Sequence, residues 1–375
     1  MAGIYIHIPF CKKKCHYCNF YSIPPVKRMD NLIAALHKEI SLQKQYTGEK
    51  IETIYIGGGT PSLLPTSEIS RLLDSVDANF VISNEPEITL EANPDDINTQ
   101  KIRELRTTNI NRISLGVQSF FYEDLTYLNR LHTAGQSEYA IKALQDAGLT
   151  NISIDLIFGM PSLGQEHWRK NLFQATEMQI PHISAYAITV EPNTILDVLI
   201  RKDKKQPISE AEGAAQFRFI MNYLREKEYI HYEISNFSLP GFESKHNRAY
   251  WENIPYLGIG PSAHSFNKTS RQWNCSDMDK YLASIEENII PCEKETLTQD
   301  QHYNEYIMMS LRTNRGISVQ NIKKLFGGDY LKSFFRIFKL YENSSYIKSS
   351  DDNIQLSDEG VLMADRIISD FFIVD

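Results

Sequence analysis

Three of the five cysteines, Cys11, Cys15 and Cys18, fall within eight residues in the spacing Cys-x3-Cys-x2-Cys. Three thiolates on one tight loop can hold three irons of a cubane cluster, leaving the fourth iron to bind a small chelator. Structural zinc instead wants four ligands, usually as two separated pairs. No second pair is near, and His16, between two of the cysteines, is awkwardly placed as a fourth donor; zinc is the alternative. Lys12, Lys13 and Lys14 mark the loop as polar and would offset thiolate charge. Cys275 and Cys292 lack neighbouring ligands and read as ordinary thiols.

Two further groups could do chemistry. Gly57-Gly58-Gly59-Thr60-Pro61 permits close backbone approach and positive φ, so its N–H and C=O groups could hold a ligand; a bare tight turn is the other reading. His246-Asn247-Arg248-Ala249-Tyr250-Trp251 combines an imidazole, a common axial ligand of heme iron, with two flat rings that suit a porphyrin. The competing reading is a core histidine with Tyr250 and Trp251 as packing anchors. In the run Gly258 to Phe266, His264 is a second candidate for a heme or substrate contact, and a hydrogen-bonding structural role stands beside it. His7 reads as structural.

Repeated strand-then-helix patterning must position these groups. Strands are expected at Ile4 to Ile8, Thr53 to Ile56, Glu87 to Glu91, Arg112 to Leu115, Ile152 to Leu156 and His182 to Ala187. Between them, Leu32, Ile33, Leu36 and Ile40 share one helical face, as do Ile69, Leu72, Leu73 and Val76. A helix from Ser137 should stop at Gly148, and Phe217, Ile220, Met221 and Leu224 line a later one. Such alternation implies parallel strands with helical crossovers, in a partly closed barrel or an open sheet. Sites in either lie at the carboxyl ends of the strands, so the first-half motifs should converge on one rim.

After about Ser235 the rhythm fades. Residues 236–295 form the expected histidine-motif segment of a smaller α+β region. Residues 296–375 form an expected winged-helix-like module: helices at Tyr303 to Leu311 and Val319 to Phe326, short strands, and a last helix Asp358 to Phe372.

Composition narrows the function classes. The chain has 375 residues, 42% hydrophobic and 23% charged, ordinary for a globular protein. A net charge of −8 argues against broad nucleic-acid binding and gives no support to an anionic membrane partner. No apolar run approaches a membrane span. MAGIYIHIPF has no basic region ahead of a long apolar core, so no secretory signal is expected, and the cytoplasm is the expected setting.

The Cys-x3-Cys-x2-Cys loop after a first strand, with Tyr17 before the last cysteine, resembles the radical S-adenosylmethionine (SAM) superfamily. The runs YIHIPFC, IGGGTPS, LEANPDD, SLGVQSF, LNRLH and DLIFGMP resemble its coproporphyrinogen oxidase-like branch over nearly the whole chain. The resemblance implies a partial (β/α)6 barrel over residues 1–235 and a [4Fe–4S] cluster on Cys11, Cys15 and Cys18. It also implies SAM on the open iron, cleaved reductively to a 5′-deoxyadenosyl radical. The family's SAM contacts correspond to Tyr5, Gly58, Gly59, Thr60, Glu91, Gln118, Arg130 and Asp155. Arg130 suits a bidentate carboxylate, and Glu91 and Asp155 could accept from ribose hydroxyls.

Two features separate subgroups. The oxygen-independent dehydrogenase subgroup carries another cysteine two residues after the third, where this chain has Phe20, and an extension before the first strand, which already contains Tyr5 here. The HNxxYW run resembles the heme-chaperone subgroup, implying heme held by His246, Tyr250 and Trp251, with His246 on the iron, and a heme-accepting apo-protein as partner. The rival activity is oxygen-independent oxidative decarboxylation of coproporphyrinogen III in porphyrin biosynthesis. A monomer or cluster-dependent dimer is expected.

Overall fold

The computed structural model describes residues 1–24, 28–350 and 352–374. All six expected strands are present: β1 (Ala2–Ile8), β2 (Ile51–Gly58), β3 (Ile82–Ala92), β4 (Arg112–Gln118), β5 (Ile152–Phe158) and β6 (His182–Ala187). They lie side by side in sequence order, each parallel to the next. The crossovers carry α1 (Met29–Leu42), α2 (Thr66–Asn79), α3 (Thr99–Leu105), α4 (Tyr122–Leu128), α5 (Ala134–Asp146) and α6 (Gln165–Glu177); α7 (Ile195–Arg201) and α8 (Glu210–Glu226) follow β6. The expected stop at Gly148 has φ +84°, which glycine adopts without strain.

The period-2 alternation of strands divides the residues between two faces. On β1, Ile4, Ile6 and Ile8 are fully buried, in one core with Leu32, Leu36 and Ile40 of α1. Burying each such side chain contributes about 1.5–3 kcal/mol. Tyr5 and His7 take the other face, towards Tyr55 of β2. The inner face is therefore polar and aromatic, and the outer face is the hydrophobic core.

The barrel stays partial because further strands occupy both edges. β6 pairs antiparallel with β8 (Asn236–Ser238), which pairs with β7 (Ile230–Glu233). β1 pairs in parallel with β9 (Tyr256–Ile259), and β10 (His264–Phe266), β11 (Ser270–Asn274) and β12 (Cys292–Thr296) extend that edge. The boundary expected between 235 and 236 thus falls inside the β7–β8 hairpin. Residues 236–296 continue the barrel sheet, because the edge strands of an open barrel need backbone partners. This segment also carries α9 (Lys245–Trp251) and α10 (Met278–Glu286).

The C-terminal module has its own core, including Tyr303, Ile307, Phe334, Ile354 and Ile367. It runs α11 (Gln299–Leu311), β13 (Ile317–Ser318), α12 (Val319–Phe326), α13 (Gly328–Tyr341), β14 (Ile347–Ser349), β15 (Asn353–Leu356), α14 (Asp358–Val361) and α15 (Ala364–Asp370). The small sheet has the order β13-β15-β14, the arrangement of a winged helix. Two details differ from the sequence reading. Helix α13 occupies a segment without an expected helix: its aromatics suit strands by propensity, but Phe334 and Phe338, one turn apart, stack on each other, and Phe334 also stacks on Phe371. The last helix is broken at Leu362 and Met363 into α14 and α15.

The module packs against α8, the turn between β7 and β8, and α9. The Ile234 amide donates to the Arg312 carbonyl (3.0 Å), Arg225 pairs with Asp358 (2.7 Å), and the Arg312 guanidinium lies 5.0 Å from the centre of the Trp251 ring. Among the described residues no helix is long and apolar enough to cross a membrane.

Candidate cluster and cofactor site

The cysteine loop leaves the carboxyl end of β1 and is tied at several points. Its base closes where the Cys11 amide donates to the Ile23 carbonyl (3.0 Å) and the Ile23 amide to the Pro9 carbonyl (2.8 Å). Its middle is pinned where the His16 amide donates to Leu128 (3.1 Å) and the Asn129 side chain to the Lys14 carbonyl (3.0 Å). Lys12 pairs with Asp95 (2.9 Å) and Asp96, so it tethers the loop to the end of β3. The His16 ring is engaged at Nδ1 by the Tyr127 carbonyl (3.2 Å).

Two donors point at the sulfurs. Arg130 Nη1 lies 3.4 Å from Cys15 Sγ, and the Thr60 hydroxyl 3.7 Å from Cys11 Sγ. Burial, chiefly, holds the Cys11 and Cys18 thiols above their ordinary range. Hydrogen bonds to the sulfurs are how a protein supports thiolate ligands of an iron cluster, and this donor set fits one. Among the described residues no three His, Cys, Asp or Glu side chains are gathered closely enough to hold a metal ion.

The glycine turn sits directly beside this loop. The Gly59 amide donates to the Ile8 carbonyl (2.8 Å), and a Cβ on Gly59 would stand 2.6 Å from the Phe10 carbonyl oxygen, so no larger residue fits unless the backbone moves. Gly58 has φ +116°, and its amide donates to Glu91 Oε2 (2.9 Å). Burial raises the Glu91 carboxyl to about 7 and the Asp155 carboxyl to about 6.

Opposite the turn, Arg130 Nη2 donates to the Gly116 carbonyl (2.8 Å) and to Asn93 Oδ1 (2.5 Å). Asn93 in turn donates to the Thr60 hydroxyl (3.1 Å). Gln118, at φ 66°, ends β4 beside them: a Cβ on Gly116 would lie 3.0 Å from its Nε2. Thr60, Gln118 and Arg130 therefore meet near Cys15, with Glu91, Asp155 and Tyr5 deeper on the inner face. A fixed guanidinium, a glycine turn that allows close approach and buried carboxyl groups form a donor and acceptor set that suits a zwitterion joined to a polyol. Asn93 is a functional candidate the sequence reading passed over. Its signal was its place in LEANPDD, two residues past Glu91 at the end of β3.

The HNxxYW helix lies at the other end of the barrel. The α9 amides of Lys245 and His246 donate to Glu87 (3.0 and 2.9 Å), in the amino-side half of β3, and a Cβ on Gly3 of β1 would lie 3.3 Å from the His246 ring. His246 is 2% exposed. Its Nδ1 bonds the Thr53 hydroxyl (2.8 Å) and its Nε2 the Tyr250 hydroxyl (2.9 Å). Burial lowers its pKa to about 3, so the ring is neutral. Tyr250 packs edge-on against His246 and Tyr256, and Trp251 lies under Arg312. Both His246 nitrogens are engaged and would have to be released to meet an iron, and Tyr250 and Trp251 are half-buried. His264 contrasts with it: the residue is exposed on β10, its ring lies 6.2 Å from Trp273, and among the described residues it has no hydrogen-bond partner.

Comparisons with known proteins agree with this construction. Residues 5–174 match the radical SAM superfamily model, and residues 297–363 the HemN C-terminal domain. The chain is 33% identical to the heme chaperone HemW of Lactococcus lactis subsp. lactis (strain IL1403), covering 99% of this chain and 97% of that one. It is 31% identical to the heme chaperone HemW of Bacillus subtilis (strain 168), with 99% of each covered. The coproporphyrinogen III oxidase HemN of Escherichia coli, described as a radical SAM enzyme, shares the fold with a TM-score of 0.85 at 23% identity, over 99% of this chain and 90% of that one. With full-length relatives above 30% identity and a barrel that gathers the cysteine loop and glycine turn on one rim, the chain belongs to the radical SAM superfamily, in the coproporphyrinogen III oxidase-like branch that contains the HemW proteins.

Proposed function

We propose that this chain is a cytoplasmic heme chaperone that carries a [4Fe–4S] cluster on Cys11, Cys15 and Cys18, binds SAM beside it, and passes heme to an apo-protein. The observation that carries the cluster half is the pair of donors, Arg130 and Thr60, aimed at Cys15 and Cys11. A cubane with one iron free of protein ligands supplies one-electron chemistry to a bound sulfonium. In this reading Arg130 and Asn93 fix the amino-acid end of SAM, and Glu91 and Asp155 accept from its ribose. Tyr5 packs beneath them, and Gly58, Gly59, Thr60 and Gln118 line the approach.

The heme half rests on the full-length HemW relatives. Of the two histidine candidates, His264 is the accessible imidazole, and His246 would have to release both Thr53 and Tyr250 first. Oxygen-independent coproporphyrinogen III dehydrogenation is the second reading, favoured by the shared fold with HemN. Phe20, 68% exposed, stands where that subgroup has its extra cysteine and weighs against it.

The test is anaerobic reconstitution, then heme titration followed at the Soret band and transfer of the bound heme to apomyoglobin. Stoichiometric binding and transfer are expected. No heme binding defeats the chaperone reading. Catalytic conversion of coproporphyrinogen III to protoporphyrinogen IX establishes the second one. Absence of iron and sulfide defeats both.

A further inference from the structure

The two ends of the barrel are joined by stacked rings. His246 lies against Tyr55, centroids 5.0 Å apart and planes 27° apart. Tyr55 lies against Tyr5 at 6.0 Å with the same tilt. Above them, the Tyr55 ring and the Glu91 carboxylate approach within 2.7 and 2.9 Å of the point where a Cβ on Gly57 would stand. Glu91 then accepts the Gly58 amide (2.9 Å). A second column runs alongside: the Tyr5 hydroxyl meets His7 Nδ1 (3.0 Å), and the His7 ring lies 2.7 Å from the Cβ position of Gly58. Both columns end on the glycine turn that adjoins the cysteine loop.

At the bottom, His246 is held at three atoms. Thr53 and Tyr250 hold its two nitrogens, and Glu87 holds its backbone amide. The ring is thus a fixed plate under Tyr55. A stacked pair of this kind restricts ring orientation as well as adding packing energy. Tyr55 in turn adjoins the Glu91 carboxylate and hydrogen-bonds to it.

We propose that His246 is a positioning residue for the SAM pocket: it anchors the floor of the barrel and, through Tyr55, sets Glu91 and the Gly57–Gly59 turn. The HNxxYW helix in this arrangement serves the cofactor end of the molecule, and its histidine is not the heme ligand. The proposal rests on the rim being a SAM site, as read above, and does not depend on the heme half of that reading.

The test uses the full chain with reconstituted cluster. The reduced cluster is followed by electron paramagnetic resonance while SAM is titrated, in the wild type, His246→Ala, His246→Phe and Thr53→Val; heme is titrated separately at the Soret band. His246→Ala is expected to weaken SAM about tenfold, the size of a lost ring contact and its fixed geometry. His246→Phe, which keeps the plate, should recover most of that loss, and Thr53→Val should weaken SAM about threefold through a ring freed at one nitrogen. Heme affinity should be the same in all four. If His246→Ala does not fold, Thr53→Val carries the test. SAM responses identical to wild type in every folded variant overturn the proposal, as does heme binding lost with SAM binding intact. A wild type whose cluster signal ignores SAM defeats the pocket reading itself and the proposal with it.

Discussion

The two ends of this barrel are both rich in polar and aromatic side chains, yet they are built on opposite rules. At the rim, Arg130, Asn93, Thr60 and Cys15 meet around a polar cleft, and burial raises the Glu91 and Asp155 carboxyls. At the floor, Thr53 and Tyr250 bond the buried His246 ring and Glu87 bonds its amide, while Glu87 also lines a cleft of about 760 Å³ with Asn111 and Lys245. Rim groups bond one another and also line a cleft beside the cysteine loop, which marks a place for a ligand, whereas a buried ring bonded at both nitrogens, as His246 is, specifies packing. The same residue types can do both jobs, so residue type alone does not separate a packing motif from a binding motif.

The largest effect should come from breaking the rim. Cys15→Ala, followed by anaerobic reconstitution, should abolish iron–sulfur absorbance and iron content, while far-ultraviolet circular dichroism stays that of the wild type. A cluster that still assembles would mean the loop is not the metal site.

The two ends should also titrate with opposite signs. His246, lowered to about 3, is neutral in the fold; its contribution is complete above about pH 6.5 and is lost as pH falls towards 3. Glu91, raised to about 7, binds its proton more readily in the fold; its contribution is complete below about pH 4.5 and is lost as pH rises through 7. Denaturant midpoints at pH 6.5 and 4.5 should show His246→Phe losing about 2–3 kcal/mol less than wild type over that interval. Glu91→Gln should shift the balance in the opposite sense, and equal slopes in all three proteins would remove the contrast.

Gly59→Ala tests how tightly the rim is closed. Its Cβ would collide with the Phe10 carbonyl, so a cost of about 1–3 kcal/mol is expected in chemical denaturation, together with weaker SAM binding. Thr53→Val at the floor should cost about 1 kcal/mol, one buried hydrogen bond, with no change in cluster content. The smallest effect is on the outside: Glu359→Gln cuts a surface pair with Arg218 and should leave the melting temperature unchanged.

Much of the barrel is legible in the chain because short range physics writes it there. The runs around Ile4–Ile8 and Ile152–Leu156 alternate between core and inner face, and helices such as α1 and α2 repeat their apolar residues every three or four positions. The rim was legible for the same reason: Cys11, Cys15 and Cys18 share one loop, and Gly57 to Thr60 follow one strand. The joining of residues 236–296 to both barrel edges was not legible, since pairing between β1 and β9 is a contact across some 250 positions that no local pattern records. Nor was α13, whose aromatics favour a strand by local propensity until Phe371 packs on Phe334.

By itself, then, the sequence determined the element types along the barrel, the donor chemistry of the cysteine loop and the need for glycine beside it. Each follows from spacing within a few residues, and spacing survives in a linear chain. Only the tertiary structure decided that Asn93 would hold Arg130 in place, that Lys12 would anchor the loop to Asp95, and that His246 would face inward. Those outcomes depend on which partners arrive from distant strands: an imidazole opposite Thr53 and Tyr250 becomes part of a floor, and the same imidazole facing solvent would be free to bind.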